Sequence, residues 1–261
     1  MKKYSNLLGK ISLALALGMA FGACSNEEDQ TITDPQTQAR LSTTATGSSQ
    51  AGSENGRVVV GGMTVSNFYV GTQTVEMRYF AKADLLADIS LGNLQLKSNT
   101  SAGLQTSSSS QKTHALITSG NAQFSVVGEG STPEGNYREV SFKLFKNTSG
   151  NANDPMYQKS LAITGEVNGK ITTFWTESEK VIRAASESST GVQVDNNTEM
   201  VLVFELEKLF AGVDFSTALD ANLDGRIDIS PNSPDGNQAI FSRIESNLES
   251  AVSLKNRESV K

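Results

Sequence analysis

The chain has 261 residues and a formal net charge of −6, with one histidine, one cysteine and one tryptophan. The single cysteine excludes a disulfide framework, and a lone histidine cannot build a zinc site of the usual ligand sets. The excess of acid does not favour nucleic acid, which needs clustered Lys and Arg, so we expect no nucleic-acid partner.

Residues 1–23 have the pattern of a secretory signal peptide. The stretch "MKKYSNLLGK" carries three lysines and no acid, and the apolar run "ISLALALGMAFGA" follows it. That run is shorter than the roughly 20 residues that a membrane span needs. Removing the segment leaves 19 basic and 28 acidic residues, a formal charge of −9.

The cysteine stands where this apolar run stops. The stretch "FGAC", which ends at Cys24, resembles a bacterial lipobox with Phe21 in place of the usual Leu. The resemblance implies that Cys24 is lipidated and that acyl chains attach the protein to a membrane. The alternative is a conventional signal peptide followed by a chance cysteine.

The residues after Cys24 indicate to which membrane the protein is sorted. The stretch "CSNEEDQ" resembles the outer-membrane sorting and export signals of Bacteroidota surface lipoproteins. It implies an outer-membrane protein that faces the cell exterior. The alternative is a charged, solvated start to a linker.

Residues 24–56 are predicted to form a flexible tether. The segment is polar and rich in small residues, so ordering it would cost conformational entropy with little apolar burial in return. Residues 57–261 are then long enough for a single domain with a sizeable core.

Alternating apolar and polar residues dominate this domain and predict half-buried strands, as in "YREVSFKLFK". The best hairpin is "SLAITGEVNGKITTFWT", in which Asn168–Gly169 is a type I′ turn signal and Ile163 lies opposite Phe174. Many short strands without interleaved helices predict a mainly β fold, an antiparallel β-sandwich with a C-terminal α-helix packed on it.

That helix is predicted at about residues 234–252. Apolar residues recur four apart along "SPDGNQAIFSRIESNLESAVSL", which is a helical stripe. Ser233 would be the N-cap and Pro234 the first helical residue.

Residues 220–230, "DANLDGRIDIS", match much of a calcium-loop template. Calcium wants six to eight oxygen ligands, and side chains at alternate positions before a glycine fold inward to supply them. The candidate ligands are Asp220, Asn222, Asp224, the backbone carbonyl of Arg226, and Asp228.

Two departures weaken the match. Leu223 replaces a small or polar residue, and Pro231 stands where a bidentate acid usually completes the site. Asp214 or Asp235 could supply the missing oxygens. The alternative is a metal-free turn, since Asp and Asn cap their own backbones readily. If calcium binds, we expect a structural clamp.

Catalytic signals are weak. His114 is the only histidine, and no "GxSxG" motif fixes a nucleophilic serine. We therefore predict that the protein is not an enzyme and assign no catalytic residue. Trp175 is a candidate for stacking on a ligand if its face is exposed, and a core residue if it is covered.

The C-terminal part, "MVLVFELEKLFAGVDFSTALDANLDGRIDIS" with its helix, resembles the end of uncharacterised Bacteroidota surface lipoproteins with immunoglobulin-like sandwiches. The strand "EGNYREVSFKL" resembles another recurring piece of them. This resemblance implies no known activity. We expect a non-catalytic binding module for a glycan, a small ligand or a surface protein. The alternatives are a structural component of an envelope complex or fibre and, least favoured, a hydrolase with a dispersed site.

Overall fold

The computed structural model describes residues 35–47, 58–81, 97–99 and 111–260. These residues belong to one compact unit that spans residues 34–261. The predicted signal peptide and Cys24 lie outside the described residues. Within the described ranges, no helix combines the length and apolar character needed to cross a membrane.

The protein is mainly β, as the alternating pattern predicts. The described strands join into one mixed sheet. They are β1 (Gln36–Thr46), β2 (Val58–Val60), β3 (Met63–Ala81), β4 (Lys97–Asn99), β5 (Lys112–Thr118), β6 (Asn121–Ala122), β7 (Ser125–Pro133), β8 (Gly135–Leu144), β9 (Leu161–Val167), β10 (Lys170–Thr176), β11 (Val181–Ser186), β12 (Val192–Val194), β13 (Glu199–Glu205), β14 (Arg226–Ile229) and β15 (Val252–Asn256). Two α-helices in the described residues, α1 (Leu206–Leu209) and α2 (Gln238–Asn247), follow β13 and β14.

The prediction of a flexible tether over residues 24–56 is wrong for β1, which lies between β13 and β7. Leu41 and Ala45 are buried there. The hydroxyl side chains between them are buried too, and Thr43 Oγ1 donates a hydrogen bond to the carbonyl of Leu202 at 3.1 Å. The Ser42 hydroxyl likewise donates to Glu199 Oε1, at 2.6 Å. Backbone pairing with these side-chain hydrogen bonds therefore lets a polar segment enter the sheet, although the buried Thr44 hydroxyl has no hydrogen-bond partner among the described residues.

The expectation of purely antiparallel pairing is also wrong. β1 runs parallel to β13, β10 parallel to β14, and β11 parallel to β15. Alternation of apolar and polar residues reports which face of a strand is buried and carries no information about the direction of its neighbour. Parallel neighbours also need long crossover connections, which leave no local signal.

The long strand β3 organises the sheet. One of its edges pairs with β9 and then β8, and the other pairs with β2, β5 and β4. Gly71 marks the junction, since its N–H donates to Ser160 and its carbonyl accepts from Phe145. A Cβ at Gly71 would lie 2.2 Å from the Phe145 carbonyl oxygen, so only glycine fits this close approach.

The sheet curls so that distant strands pack across a shared core. Phe68 on β3 and Phe204 on β13 meet edge to face with ring centroids 5.5 Å apart, although β8, β11 and β15 separate their strands in the sheet order. Both rings are fully or nearly fully buried. At the β7 end of the strand order, the Lys112 ammonium of β5 donates a hydrogen bond to the Val127 carbonyl of β7.

The β9–β10 hairpin is confirmed. Asn168 and Gly169 both have positive φ, and Ile163 pairs with Phe174 in the predicted register. Local turn chemistry and hydrophobic alternation agree here, so the sequence alone specifies the register.

The C-terminal helix exists and packs on the sheet, with the Phe241 ring 6.0 Å from that of Phe174. Its predicted bounds of 234–252 are wrong, because α2 covers Gln238–Asn247 and its N-cap is Asn237, not Ser233. Pro234 lies in the turn before the helix, in which the Gly236 N–H donates a hydrogen bond to the Ser233 carbonyl. The apolar periodicity continues past the helix because the start of β15 is also buried.

Candidate functional site

The acidic loop, residues 219–237, contains the five residues predicted to bind calcium and also Asp235, one of the two residues that could complete the site. Its first three predicted ligands fold inward, because the Asp224 N–H donates to Asp220 Oδ1 at 3.1 Å and to Asn222 Oδ1 at 3.0 Å. The alternating spacing therefore brings these three side chains together as the template requires.

A protein cation already contacts this cluster. The Lys170 ammonium at the start of β10 lies 2.7 Å from Asp220 Oδ2, and 3% of the Asp220 side chain is exposed. The hydrogen bond from Lys170 lowers the pKa of Asp220 below its usual value, and backbone N–H groups of the loop add to this effect.

The later predicted ligands point elsewhere. Asp228 Oδ2 accepts a hydrogen bond from Trp175 Nε1 at 3.3 Å, and its other oxygen accepts from the Ser230 hydroxyl. Arg226 begins β14 and pairs with Ile171, while its N–H donates to Asp224 Oδ1 at 2.8 Å. The structure thus separates Asp228 from the first three residues.

Asp235 and Asn237, at the C-terminal end of the acidic loop, close it and are 1% and 4% exposed. The two oxygens of Asp235 accept N–H groups from Asn222 at 3.2 Å and Asp228 at 2.7 Å. Asn237 bridges both backbone polar groups of Leu219. These buried side chains take the place of the acid that Pro231 cannot supply.

Neither Asp214 nor Asp235 is free to complete a metal site in this conformation. Asp235 is engaged with the backbone, and Asp214 caps its own turn by accepting from Ser216. Across the described part of the chain, no group of three or more His, Cys, Asp or Glu residues is arranged to hold an ion. Leu223, at the loop tip, has a φ of 61° and is 84% exposed.

Trp175 is half-buried between the loop and a lysine. Lys159 Nζ lies 5.7 Å from the centroid of the indole ring, and the ring N–H is bound to Asp228. Burial lowers the pKa of Lys159, and the Asp228 carboxylate opposes this shift. A stacking ligand would have to displace the ammonium from this face.

His114 is a satisfied interior residue that is 1% exposed. Its Nε2 lies 3.0 Å from the Thr72 hydroxyl and its Nδ1 lies 2.9 Å from the Ser125 hydroxyl. Burial, with a smaller contribution from Lys112, lowers its pKa to about 4. The imidazole therefore joins β5 to β3 and β7 in its neutral form.

The structure also contains an open feature that the sequence did not predict. Three clefts of about 410, 520 and 290 Å³ adjoin, because the first two share Asn197 and Glu199 and the last two share Gln193 and Asn256. We call them together the polar groove. Its described lining residues are Gln38, Ala39, Arg40, Glu129, Gly130, Ser186, Glu187, Ser188, Gly191, Val192, Gln193, Asp195, Asn196, Asn197, Thr198, Glu199, Leu254, Lys255, Asn256, Arg257, Glu258 and Ser259.

A tight turn between β12 and β13 stands at the centre of the polar groove. The Thr198 N–H donates to the Asp195 carbonyl at 3.1 Å. Between them, Asn196 and Asn197 have φ values of 42° and 66°, a combination that Asn tolerates better than most residues. The turn therefore presents two adjacent, exposed amide side chains.

Ion pairs hold the charged side chains of the polar groove. Arg40 Nη2 lies 2.9 Å from Glu129 Oε2, and Arg257 Nε lies 3.8 Å from Glu199 Oε2. The guanidinium carbon of Arg257 also lies 3.3 Å from the centroid of the Phe124 ring. Stacking of this kind fixes the plane of the guanidinium and the direction of its donors.

The groove was missed because its walls come from distant segments. One wall comes from β1, which the sequence assigned to the tether, and from its neighbour β7. The others come from residues 186–199 and from residues 254–259. The available signal was the "DNN" turn pattern, which marks a turn but not what surrounds it.

Comparisons of the chain with protein-family models, with curated proteins and with solved structures gave no match. The resemblance to Bacteroidota surface lipoproteins therefore stays a prediction from the sequence.

Proposed function

We propose that this protein is a non-catalytic binding module whose ligand lies in the polar groove. The observation that supports this proposal is that three adjoining clefts share lining residues and present mostly amide, hydroxyl and charged side chains. Binding sites need convergent polar groups that fix a ligand's orientation, and this groove provides them on paired strands and a tight turn.

The composition of the polar groove favours binding over catalysis. His114 is not among its described lining residues and is buried within the sheet. The acid Glu129 is 61% exposed and paired with Arg40, whereas catalytic groups usually work in sites that exclude water. The hydrolase alternative has less support for these reasons.

As an assembly component, the protein would need an exposed strand edge that can pair with another chain. Within the described residues, β14 and β7 stand at the two ends of the main strand path. β14 has four residues, and on β7 the Val127 carbonyl already accepts a hydrogen bond from the Lys112 ammonium of β5. Short or covered edges offer few backbone groups to an incoming strand, so binding through the groove is favoured.

The proposed location follows from the N-terminal sequence. Acylation of Cys24 would hold the protein at the outer membrane, facing the cell exterior. A Cys24→Ser chain should then appear in the soluble fraction and take up no labelled palmitate, whereas the parent chain should be labelled and sediment with membranes. Equal labelling of both chains would contradict the anchor.

The curled sheet supports a finer proposal about the fold. We propose a variant of the immunoglobulin-like sandwich in which the three parallel pairs are additions to antiparallel layers. The packing of Phe68 on Phe204 across the core supports this, as facing sheets in a sandwich meet through such inward side chains.

A second proposal concerns calcium as a structural ion of the acidic loop. The convergence of Asp220, Asn222 and Asp224 supports it, since these positions supply the first three oxygens of a calcium loop. An ion would have to displace Lys170 and draw in further oxygens, such as the carbonyl of Arg226. Sites of the weak extracellular class, with Kd about 10⁻⁴–10⁻³ M, still fill outside cells.

The binding proposal is tested by amide NMR titration of the mature Cys24→Ser chain. The panel contains neutral sugars, acidic sugars, short peptides and nucleosides. We expect at least one class to shift the resonances of residues 193–199 and 256–258 and to be recovered chemically unchanged. Shifts confined to other regions, or no shift from any class, would overturn the proposal.

A further inference from the structure

We infer that the polar groove binds a neutral glycan chain. This inference rests on the proposed function and names the chemical class of its ligand. It combines three observations: the chemistry of the lining, the balance of its charges, and the fixed positions of its amides.

The lining matches polyhydroxylated rings better than it matches protein surfaces. Five lining residues carry side-chain amides, which both donate and accept, and four carry hydroxyls. Sugar hydroxyls likewise donate and accept at once. By contrast, protein partners usually insert aromatic or aliphatic anchors into apolar pockets, and apart from glycines the described lining offers only Ala39, Val192 and Leu254 as apolar residues.

The charges of the groove select against acidic ligands. Its described lining contains five acids and three bases, and each base pairs with an acid: Arg40 with Glu129, Arg257 with Glu199, and Lys255 with Glu187. The remaining acids, Asp195 and Glu258, leave a net negative lining. A polyanion such as nucleic acid or an acidic polysaccharide would be repelled, whereas a neutral chain would not.

The turn at Asn196 and Asn197 supplies fixed hydrogen-bonding groups at the centre of the groove. Its backbone is closed by the Thr198–Asp195 hydrogen bond, and the Thr198 hydroxyl also accepts from the Asp195 N–H at 3.1 Å. Amides held this way lose less conformational entropy on binding than amides on a mobile loop. Because the three clefts adjoin, successive rings of one chain can occupy them.

Affinity electrophoresis tests the inference on the mature Cys24→Ser chain. The gels contain mannan, xylan, dextran or laminarin as neutral probes and polygalacturonate as the acidic probe. We expect at least one neutral polymer to slow migration and polygalacturonate to have no effect. The Asn196→Gly, Asn197→Gly double variant should weaken the retarding affinity at least tenfold.

The glycine replacements keep the positive φ of the turn, so they remove the amides without straining the backbone. The matched control is Asn168→Gly, which makes the same change at an exposed positive-φ turn of the β9–β10 hairpin. It should migrate as the parent does. Equal retardation of the double variant and the parent would place the glycan elsewhere and overturn the inference.

The two proposals fail in different ways. If no neutral polymer slows the chain while peptides or acidic sugars shift the groove resonances, the glycan class is wrong and the binding module stands. If no ligand of either experiment acts on residues 193–199, both proposals fail together.

Discussion

The acidic loop and the polar groove are opposites in two properties: the presence of a sequence motif and the accessibility of their polar groups. The loop carries the chain's most recognisable motif, yet its carboxylates are occupied by Lys170, by Trp175 and by backbone N–H groups. The groove carries no motif, yet the amides of Asn196 and Asn197 are exposed and the Arg40–Glu129 ion pair lies in solvent. A sequence pattern therefore reports which groups can converge, while the surrounding fold decides whether they face a ligand or the protein itself.

Replacing the buried carboxylate of the loop should produce the largest effect. Asp235→Ala would leave the N–H groups of Asn222 and Asp228 without their partner, and we expect the free energy of unfolding to fall by about 3 kcal/mol in urea denaturation. The exposed Asp224→Ala change should cost less than about 1 kcal/mol. Equal losses would show that the loop is not closed by Asp235.

The pH dependence of stability should distinguish His114 from the loop carboxylates. Above pH 6.5 the imidazole is neutral in both the folded and the unfolded chain. As the pH falls from 6.5 towards 4, the unfolded chain takes up the proton and the folded chain does not, so stability falls by up to about 3 kcal/mol.

The His114→Gln variant should lose this dependence between pH 4 and 6.5 while keeping the steeper loss at lower pH. That lower window includes Asp220, whose pKa is depressed by Lys170, so its contribution is lost only as the carboxyl protonates. Urea denaturation at half-unit pH steps measures both. Parallel profiles for variant and parent would show that folding does not lower the pKa of His114.

Removing the Lys170 ammonium should reveal whether the acidic loop binds calcium. In Lys170→Met, the Asp220 carboxylate loses its ammonium partner, so calcium should raise the unfolding midpoint by a few degrees, and by less in the parent. Trp175 is the only tryptophan, so its fluorescence should change if the ion recruits Asp228. Lys146→Met, which removes a remote pair with Glu177, is the matched control. No shift in any chain would mean a metal-free loop.

Disrupting an ion pair of the groove should produce the smallest effect. Arg40 and Glu129 are 50% and 61% exposed, so Arg40→Ala should change the free energy of unfolding by about 0.5 kcal/mol or less. The same change should weaken any ligand that occupies the first cleft. A large loss of stability would mean that the groove is a structural element and would weaken the contrast with the loop.

Sequence reasoning succeeded where the determining contacts are local. The Asn168–Gly169 turn and the alternation around it specified the hairpin, and the Ile240 and Ile244 spacing specified a helix that buries both residues. The inward folding of Asp220, Asn222 and Asp224 also follows from their spacing alone.

It failed where burial depends on a partner far along the chain. β1 is too polar to indicate a core strand, and only the neighbouring β13 and β7 make its burial favourable. The occupied state of Asp220 depends on Lys170, fifty residues earlier. Neither partner could be identified without the tertiary structure.

The position of β13 between β15 and β1 has a consequence for the kinetics of folding. β13 pairs with β1 on one edge and β15 on the other, and its hydrogen bond from Thr43 to Leu202 closes a loop of 159 residues. Such high contact order slows folding to the millisecond-to-second range. The sheet around β13 therefore cannot be completed until residues 252–256 are available to pair with it.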